Sequence, residues 1–132
     1  HSFLKGKKIP VYGDGQQVRD WLFVEDHCDA LMRVLESGTP GESYNIGGNC
    51  EKTNLELIEC VYDELKRTYL ELLKQPLDNY ISFVDDRLGH DRRYAIDASK
   101  MSRELGWEPS HDFSDGIAKT INWYSEDLAL AR

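Results

Sequence analysis

Nothing in this 132-residue chain approaches the roughly 20 consecutive apolar residues that a bilayer span requires, and no charged-then-apolar leader opens it. A soluble, cytoplasmic protein with no membrane partner is the expectation. Cysteine is scarce: Cys28, Cys50 and Cys60 form neither an even set nor a pair at zinc or redox spacing, so no metal site and no catalytic cysteine are predicted. Reduced thiols fit best, with Cys28 and Cys60 reading as small apolar fillers within amphipathic patterns. Positive charge is also in deficit. Sixteen basic against 24 acidic side chains leave a net charge of −8, which repels nucleic-acid backbones and anionic membrane surfaces. Repeats and low-complexity segments are absent. So is the glycine-rich strand-to-helix turn of a dinucleotide site, because Gly47-Gly48 lacks the G-x-x-G spacing and a later ribose-binding acid. The chain starts at His1 rather than methionine, which points either to a piece of a longer protein or to a tag remnant in His1-Ser2.

What is present amounts to one domain's worth of chain, residues 1–132. Lys8 to Tyr12 reads as a strand, extended by Pro10 and its β-branched neighbours, and Gly13-Asp14-Gly15 as a turn. A second extended segment is expected over Val18 to Phe23. A helix from Asp26 to Leu35 follows, with Cys28, Leu31, Val34 and Leu35 on its packed face, stopped by Gly38 and Pro40. Tyr44-Asn45-Ile46 reads as a brief strand. Thr53 and Glu56 have capping-box spacing for a helix that starts at Asn54, buries Leu55, Ile58, Tyr62 and Leu65, and runs to about Leu73. Gln75 to Tyr80 is predicted to be a loop and Ile81 to Val84 a strand. Asp97 is the expected cap of a helix reaching Leu105, and the last helix, capped at Ser110, Asp112 or Ser114, carries Phe113, Ile117, Ile121, Tyr124 and Leu128. Trp21, Trp107 and Trp123 read as packing residues, and His27 and His111 as satisfied structural histidines. Short strands separated by helices describe an α+β lobe with about four helices.

The densest chemistry lies between Asp86 and Asp97, where Arg87, Arg92, Arg93 and His90 alternate with Asp86, Asp91 and Asp97 around Gly89. Such a segment either binds phosphate through its guanidinium forks or is a solvated charged loop. A local arginine cluster outweighs distant carboxylates beyond a Debye length of about 8 Å, so the acidic total does not decide between them. Arg19 has the same two readings, a diphosphate contact or a surface ion pair with Asp14 or Asp20. Arg92, Arg93 and Tyr94 either shape a pocket or anchor the loop. Tyr12 can stack on a nucleobase or fill a core. Asn54, on the first turn of a helix, can face an anion or simply cap. His90 has no second ligand at metal spacing, and Gly89 gives it conformational freedom.

The blocks Pro10-Val11-Tyr12-Gly13-Asp14-Gly15, Gln17-Val18-Arg19-Asp20-Trp21-Leu22-Phe23-Val24-Glu25-Asp26-His27, Gly41 to Gly48, Gly89-His90-Asp91-Arg92-Arg93-Tyr94, Asp97-Ala98-Ser99-Lys100 and Glu104-Leu105-Gly106-Trp107 run nearly end to end. Together they resemble the C-terminal portion of the dTDP-glucose 4,6-dehydratases, nucleotide-sugar enzymes of the extended short-chain dehydrogenase/reductase family. That resemblance implies a nucleotide-sugar-binding lobe of a Rossmann-type α/β enzyme, with NAD bound by a dinucleotide domain outside this chain. It implies Pro10, Val11 and Tyr12 at the thymine, Arg19 and Arg87 at the diphosphate, and Asn54, Asp86, Leu88, Gly89 and His90 as further contacts of dTDP or dTDP-glucose. The family's tyrosine-x-x-x-lysine pair and its threonine-aspartate-glutamate acid/base set are expected to be absent from this segment, so this chain alone is expected to be inactive. The complete enzyme is expected to be a homodimer and this piece a monomer. Where family members carry proline between the arginine and glycine of the charged loop, this chain has Leu88, which removes a rigid φ constraint.

Overall fold

The computed structural model describes the backbone of residues 1–130 and the side chains of residues 1–126. Leu128, expected on the packed face of the last helix, has its side chain outside the described residues. The chain begins with a single helical turn, α1 (Ser2–Lys5), then β1 (Ile9–Tyr12), β2 (Val18–Asp20) and α2 (Val24–Ser37). Next come β3 (Glu51–Thr53) and α3 (Asn54–Thr68), a 3₁₀ turn at Leu70–Leu72, and the one-turn α4 (Leu77–Tyr80). The chain continues through β4 (Ile81–Val84) and α5 (Ser99–Leu105) to α6 (Phe113–Leu130). Among the described residues four helices exceed two turns or nearly so, and the strands are short, which makes this an α+β lobe.

Two small sheets organise it. β1 pairs in parallel with β4, Ile9 opposite Ile81 and Tyr12 opposite Val84, and Gly13 N–H extends the ladder to Val84 O at 2.9 Å. β2 pairs antiparallel with β3, Val18 opposite Thr53. Val18 also receives the charged segment on its other edge: Val18 N–H donates to Arg92 O at 2.8 Å and Tyr94 N–H to Val18 O at 3.0 Å. The ends of β1 and β2 and the loop after β4 therefore meet at one place.

Two apolar clusters hold the frame. Phe3, Leu65, Tyr80 and Ile121 join α1, α3, α4 and α6, and the buried Tyr80 hydroxyl accepts from Lys74 N–H at 2.9 Å and donates to Phe3 O at 3.3 Å. Ala30, Met101 and Trp107 join α2 to α5, with Trp107 Nε1 donating to Asp29 Oδ2 at 3.0 Å. The capping box of α3 forms as its spacing predicts, with Glu56 N–H donating to Thr53 Oγ1 at 3.1 Å and Thr53 N–H to Glu56 Oε2 at 2.6 Å.

Several expectations are corrected. Tyr44-Asn45-Ile46 pairs with no strand and is irregular, whereas the polar Glu51–Thr53 is a strand because β2 pairs with it. The segment from Gln75 to Tyr80 contains a helical turn, and α3 stops at Thr68. Asp97 lies one residue before the cap position, although its Oδ1 still accepts Ser99 N–H at 2.9 Å. The packed side of α2 is Asp26, Ala30 and Val34, not Cys28, Leu31 and Leu35, which face outward with Leu35 79% exposed. Cys28 is therefore no core filler. Trp123 is 62% exposed, with its ring edge against Tyr124, while Trp107 is buried and Trp21 half-buried.

Candidate nucleotide-binding site

The site forms where β1, the start of β2 and the loop after β4 converge. Arg87 to His90 makes a turn closed by His90 N–H donating to Arg87 O at 3.1 Å, with Gly89 at φ +72° in its third position. A positive φ there suits glycine and costs other residues steric strain. The turn directs His90 back over Asp86, whose Oδ1 lies 2.6 Å from His90 Nδ1 and also accepts Arg87 N–H at 2.8 Å. These bonds, His90 first, hold the Asp86 carboxyl below the usual aspartate range.

Arg19, delivered by β2, meets the same histidine. Its Nη2 lies 2.9 Å from His90 Nε2 and 3.0 Å from Asp91 O, and its Nη1 donates to Val18 O at 2.6 Å. The guanidinium carbon sits 5.2 Å from the Tyr94 ring centroid. Arg87 Nη2 is 3.1 Å from the same Nε2, and its guanidinium lies 5.1 Å from the Tyr12 ring centroid. Among the described residues neither Arg19 nor Arg87 forms an ion pair with a carboxylate. Their neighbours differ: Arg92 pairs with Asp14 at 2.7 Å and Arg93 pairs bidentately with Glu51 at 2.6 and 2.7 Å. Arg92 and Arg93 thus anchor the loop, whereas Arg19 and Arg87 keep their positive charge unmatched. The ion pair of Arg19 with Asp14 or Asp20 does not form, because Asp14 holds Arg92 and Asp20 accepts Gly48 N–H and Cys50 N–H at 2.8 Å each.

Beside this pair, Pro10, Val11, Tyr12, Asn54, Leu57 and Ile58 line a cleft of about 160 Å³. Val11 is buried and Tyr12 40% exposed, so the cleft has an apolar floor and an aromatic rim shared with Arg87. The sequence-predicted residues fall into two adjoining groups, Pro10, Val11, Tyr12 and Asn54 at the cleft, and Arg19, Asp86, Arg87 and His90 at the cationic corner. Leu88 and Gly89 link Arg87 to His90 within the turn; the Leu88 side chain is fully exposed and a Cβ at Gly89 would meet open space. For Asn54 the structure corrects one part of the expectation. The first amides of α3 are already used, Asn54 N–H by Gln17 O at 3.1 Å, Leu55 N–H by Gly15 O at 3.2 Å and Glu56 N–H by Thr53 Oγ1, so Asn54 offers its side-chain amide and not a free helix terminus. Sequence reasoning passed over Gln17 and the backbone carbonyl of Asp91. Gln17 was visible only as the flank of a motif, since its partner Asp86 lies 69 residues away.

Among the described residues no cluster of three or more metal-ligating side chains occurs, and no helix is long and apolar enough to cross a membrane. Gly47-Gly48 does not fit a dinucleotide either. A Cβ at Gly48 would lie 2.1 Å from Trp21 O and one at Gly47 2.7 Å from Asp20 Oδ2, so both glycines serve internal packing. The Gly48 and Cys50 amides donate to Asp20. Tyr62 and Lys66 stand at Tyr-x-x-x-Lys spacing in α3, but Tyr62 packs on the first core and its hydroxyl donates to Gln75 O at 3.3 Å, away from the cationic corner.

The model of the family described as GDP-mannose 4,6 dehydratase matches residues 2–120. The chain belongs to this family. A dTDP-glucose 4,6-dehydratase from Xanthomonas campestris pv. campestris is 53% identical over 121 residues, 92% of this chain and 34% of that protein. The solved dTDP-glucose 4,6-dehydratase of Streptomyces venezuelae, with NAD and a dTDP-type ligand bound, superposes with a TM-score of 0.85 at 40% identity. The match covers 98% of this chain and 37% of that one. A UDP-glucose 4-epimerase from Thermotoga maritima, solved with UDP-glucose, shares the fold at a TM-score of 0.80 and 27% identity, over 96% of this chain and 38% of that one. The chain spans about a third of the length of the relatives it matches.

Proposed function

We propose that this chain is the nucleotide-sugar-binding portion of a dTDP-glucose 4,6-dehydratase, and that dTDP-glucose is held with its diphosphate at Arg19 and Arg87. The observation that carries this reading is the unmatched charge of those two arginines, in contrast to Arg92 and Arg93, which are paired with Asp14 and Glu51. Two guanidiniums with free N–H donors and no carboxylate partner favour a doubly charged anion, and forks of this geometry bind phosphate oxygens bidentately. The cleft of Pro10, Val11, Tyr12 and Asn54 takes the base, with Tyr12 offering a ring face and Asn54 an amide that can both donate and accept.

In the complete enzyme the sugar is oxidised at C4, loses water across C5–C6 and regains the hydride at C6. Bound NAD would accept that hydride from C4 and return it to C6. In this reading the portion binds and orients substrate; the crowded Gly47-Gly48 turn, tied to Asp20 through the Gly48 and Cys50 amides, supports a dinucleotide site elsewhere in the protein. The outward face of α2 carries Val24, Leu31, Met32 and Leu35, each more than half exposed. The 132-residue chain supplied with dTDP-glucose and NAD then forms no 4-keto-6-deoxy sugar, although it binds dTDP. Turnover by this chain alone would refute the assignment of binding without chemistry. Failure of the folded chain to bind any nucleoside diphosphate would leave the cationic corner without its proposed role.

A further inference from the structure

Behind the two arginines stands a line of three side chains. Gln17 Nε2 donates to Asp86 Oδ2 at 2.9 Å, Asp86 Oδ1 lies 2.6 Å from His90 Nδ1, and His90 Nε2 lies 2.9 Å from Arg19 Nη2 and 3.1 Å from Arg87 Nη2. The protonation state of the imidazole follows from its partners. A guanidinium has only N–H donors, so Nε2 must present its lone pair to both arginines, and the ring proton sits on Nδ1, where the Asp86 carboxylate accepts it. The Asp86 carboxyl is held below its ordinary range by this bond and is therefore ionised at neutral pH.

Gln17 is 2% exposed, and its Oε1 has no protein hydrogen-bond partner among the described residues. Its amide orientation is thus dictated by Asp86: the reverse orientation would set two oxygens against each other. Gly13 leaves room for this contact, since a Cβ there would lie 2.8 Å from Asp86 Oδ2 and 3.1 Å from Gln17 Nε2.

We infer that Gln17 and Asp86 are positioning residues that hold His90 in its neutral Nδ1–H tautomer, so that one imidazole nitrogen gathers Arg19 and Arg87 to a common point. A neutral acceptor suits this task better than a carboxylate, because it draws two cations together without cancelling the charge an anion would meet. The link to a diphosphate rests on the proposed function above; the tautomer does not.

The test is long-range ¹H–¹⁵N correlation of the histidine rings in ¹⁵N-labelled protein without ligand, followed by titration with dTDP. His90 is expected to show a protonated Nδ1 and an unprotonated Nε2. Gln17→Met, which keeps length and removes the donor, and Gln17→Glu, which keeps shape but sets a second carboxylate against Asp86, are both expected to lose that fixed tautomer. Each should weaken dTDP binding roughly tenfold. Asp86→Asn, at an exposed position, provides the same test if the buried variants fold poorly. A protonated Nε2 in the unsubstituted protein, or variants that keep both tautomer and affinity, would overturn the inference. A protein with the expected tautomer that ignores dTDP would support the positioning line and count against the diphosphate reading.

Discussion

Arg19 and Arg87 share a single acceptor, the Nε2 atom of His90, which lies 71 residues from Arg19 in the chain and closes the turn that Arg87 opens. Arg92 and Arg93, their neighbours in the charged loop, are matched instead to Asp14 and Glu51. The four arginines therefore divide into two that build the loop and two that remain available to a ligand.

That division is measurable. Arg87→Ala removes a charge-assisted contact and should weaken dTDP binding by about 2 kcal/mol, roughly thirtyfold. Arg92→Ala removes an exposed ion pair, generally a contribution of about 0 to 1 kcal/mol, and should change affinity by less than about fivefold. Titrations of both variants at low and high salt check this, with Arg87→Ala also losing part of the salt dependence.

Leu88 occupies the second position of a turn whose third residue has positive φ, the position at which proline fits best. Its N–H donates to no protein acceptor among the described residues. Leu88→Pro should therefore stabilise the protein by about 0.4 to 1 kcal/mol through the unfolded chain and should tighten dTDP binding modestly. Thermal melts with and without dTDP provide the measurement.

Asp26, 3% exposed at the start of α2, fastens the segment before α6. It accepts from Ser110 N–H, Ser110 Oγ, His111 N–H and His111 Nδ1, while Lys119 Nζ lies 2.6 Å from His111 Nε2 and Asp115 3.8 Å from it. Burial alone raises this carboxyl, but the hydrogen bonds outweigh it and its pKa lies below the ordinary aspartate value. A depressed pKa contributes stability above the unfolded value of about 3.9 that is lost as pH falls through the folded one. Asp26→Asn should cost about 2 kcal/mol at neutral pH. Its melting temperature should also fall less steeply below pH 4 than that of the unsubstituted protein.

Gly48 marks a place with no room for a side chain, since a Cβ would meet the Trp21 carbonyl oxygen at 2.1 Å. The same amide donates to Asp20, which binds this loop to β2 beside Arg19. Gly48→Ala should destabilise by about 3 kcal/mol or more and should lower dTDP affinity through the displaced strand, whereas Gly41→Ala, open on all sides but at φ +86°, should cost only its backbone strain of about 1 kcal/mol. Denaturant unfolding of the two variants distinguishes them.

Much of this was legible because the signals are local. Thr53 and Glu56 announce the start of α3 within four residues, Gly38 ends α2, and Gly89 marks the turn that places His90. What escaped depends on partners far along the chain. Glu51–Thr53 has no strand signature of its own and is a strand only because Val18 pairs with it. Cys28, Leu31 and Leu35 have the periodicity of a packed face, yet periodicity reports that a face is apolar and not what covers it. Asn54 looked like a helix terminus open to an anion because the carbonyls of Gly15 and Gln17 that occupy it arrive from another turn. Gln17 was invisible for the same reason.

The most direct measurement of the central claim is calorimetric titration of the protein with dTDP and with UDP, repeated after Arg19→Ala. The account predicts binding of dTDP in preference to UDP, weakened by at least about tenfold when Arg19 is lost. Equal affinity for the two nucleotides, or dTDP binding that is indifferent to Arg19→Ala, would contradict it.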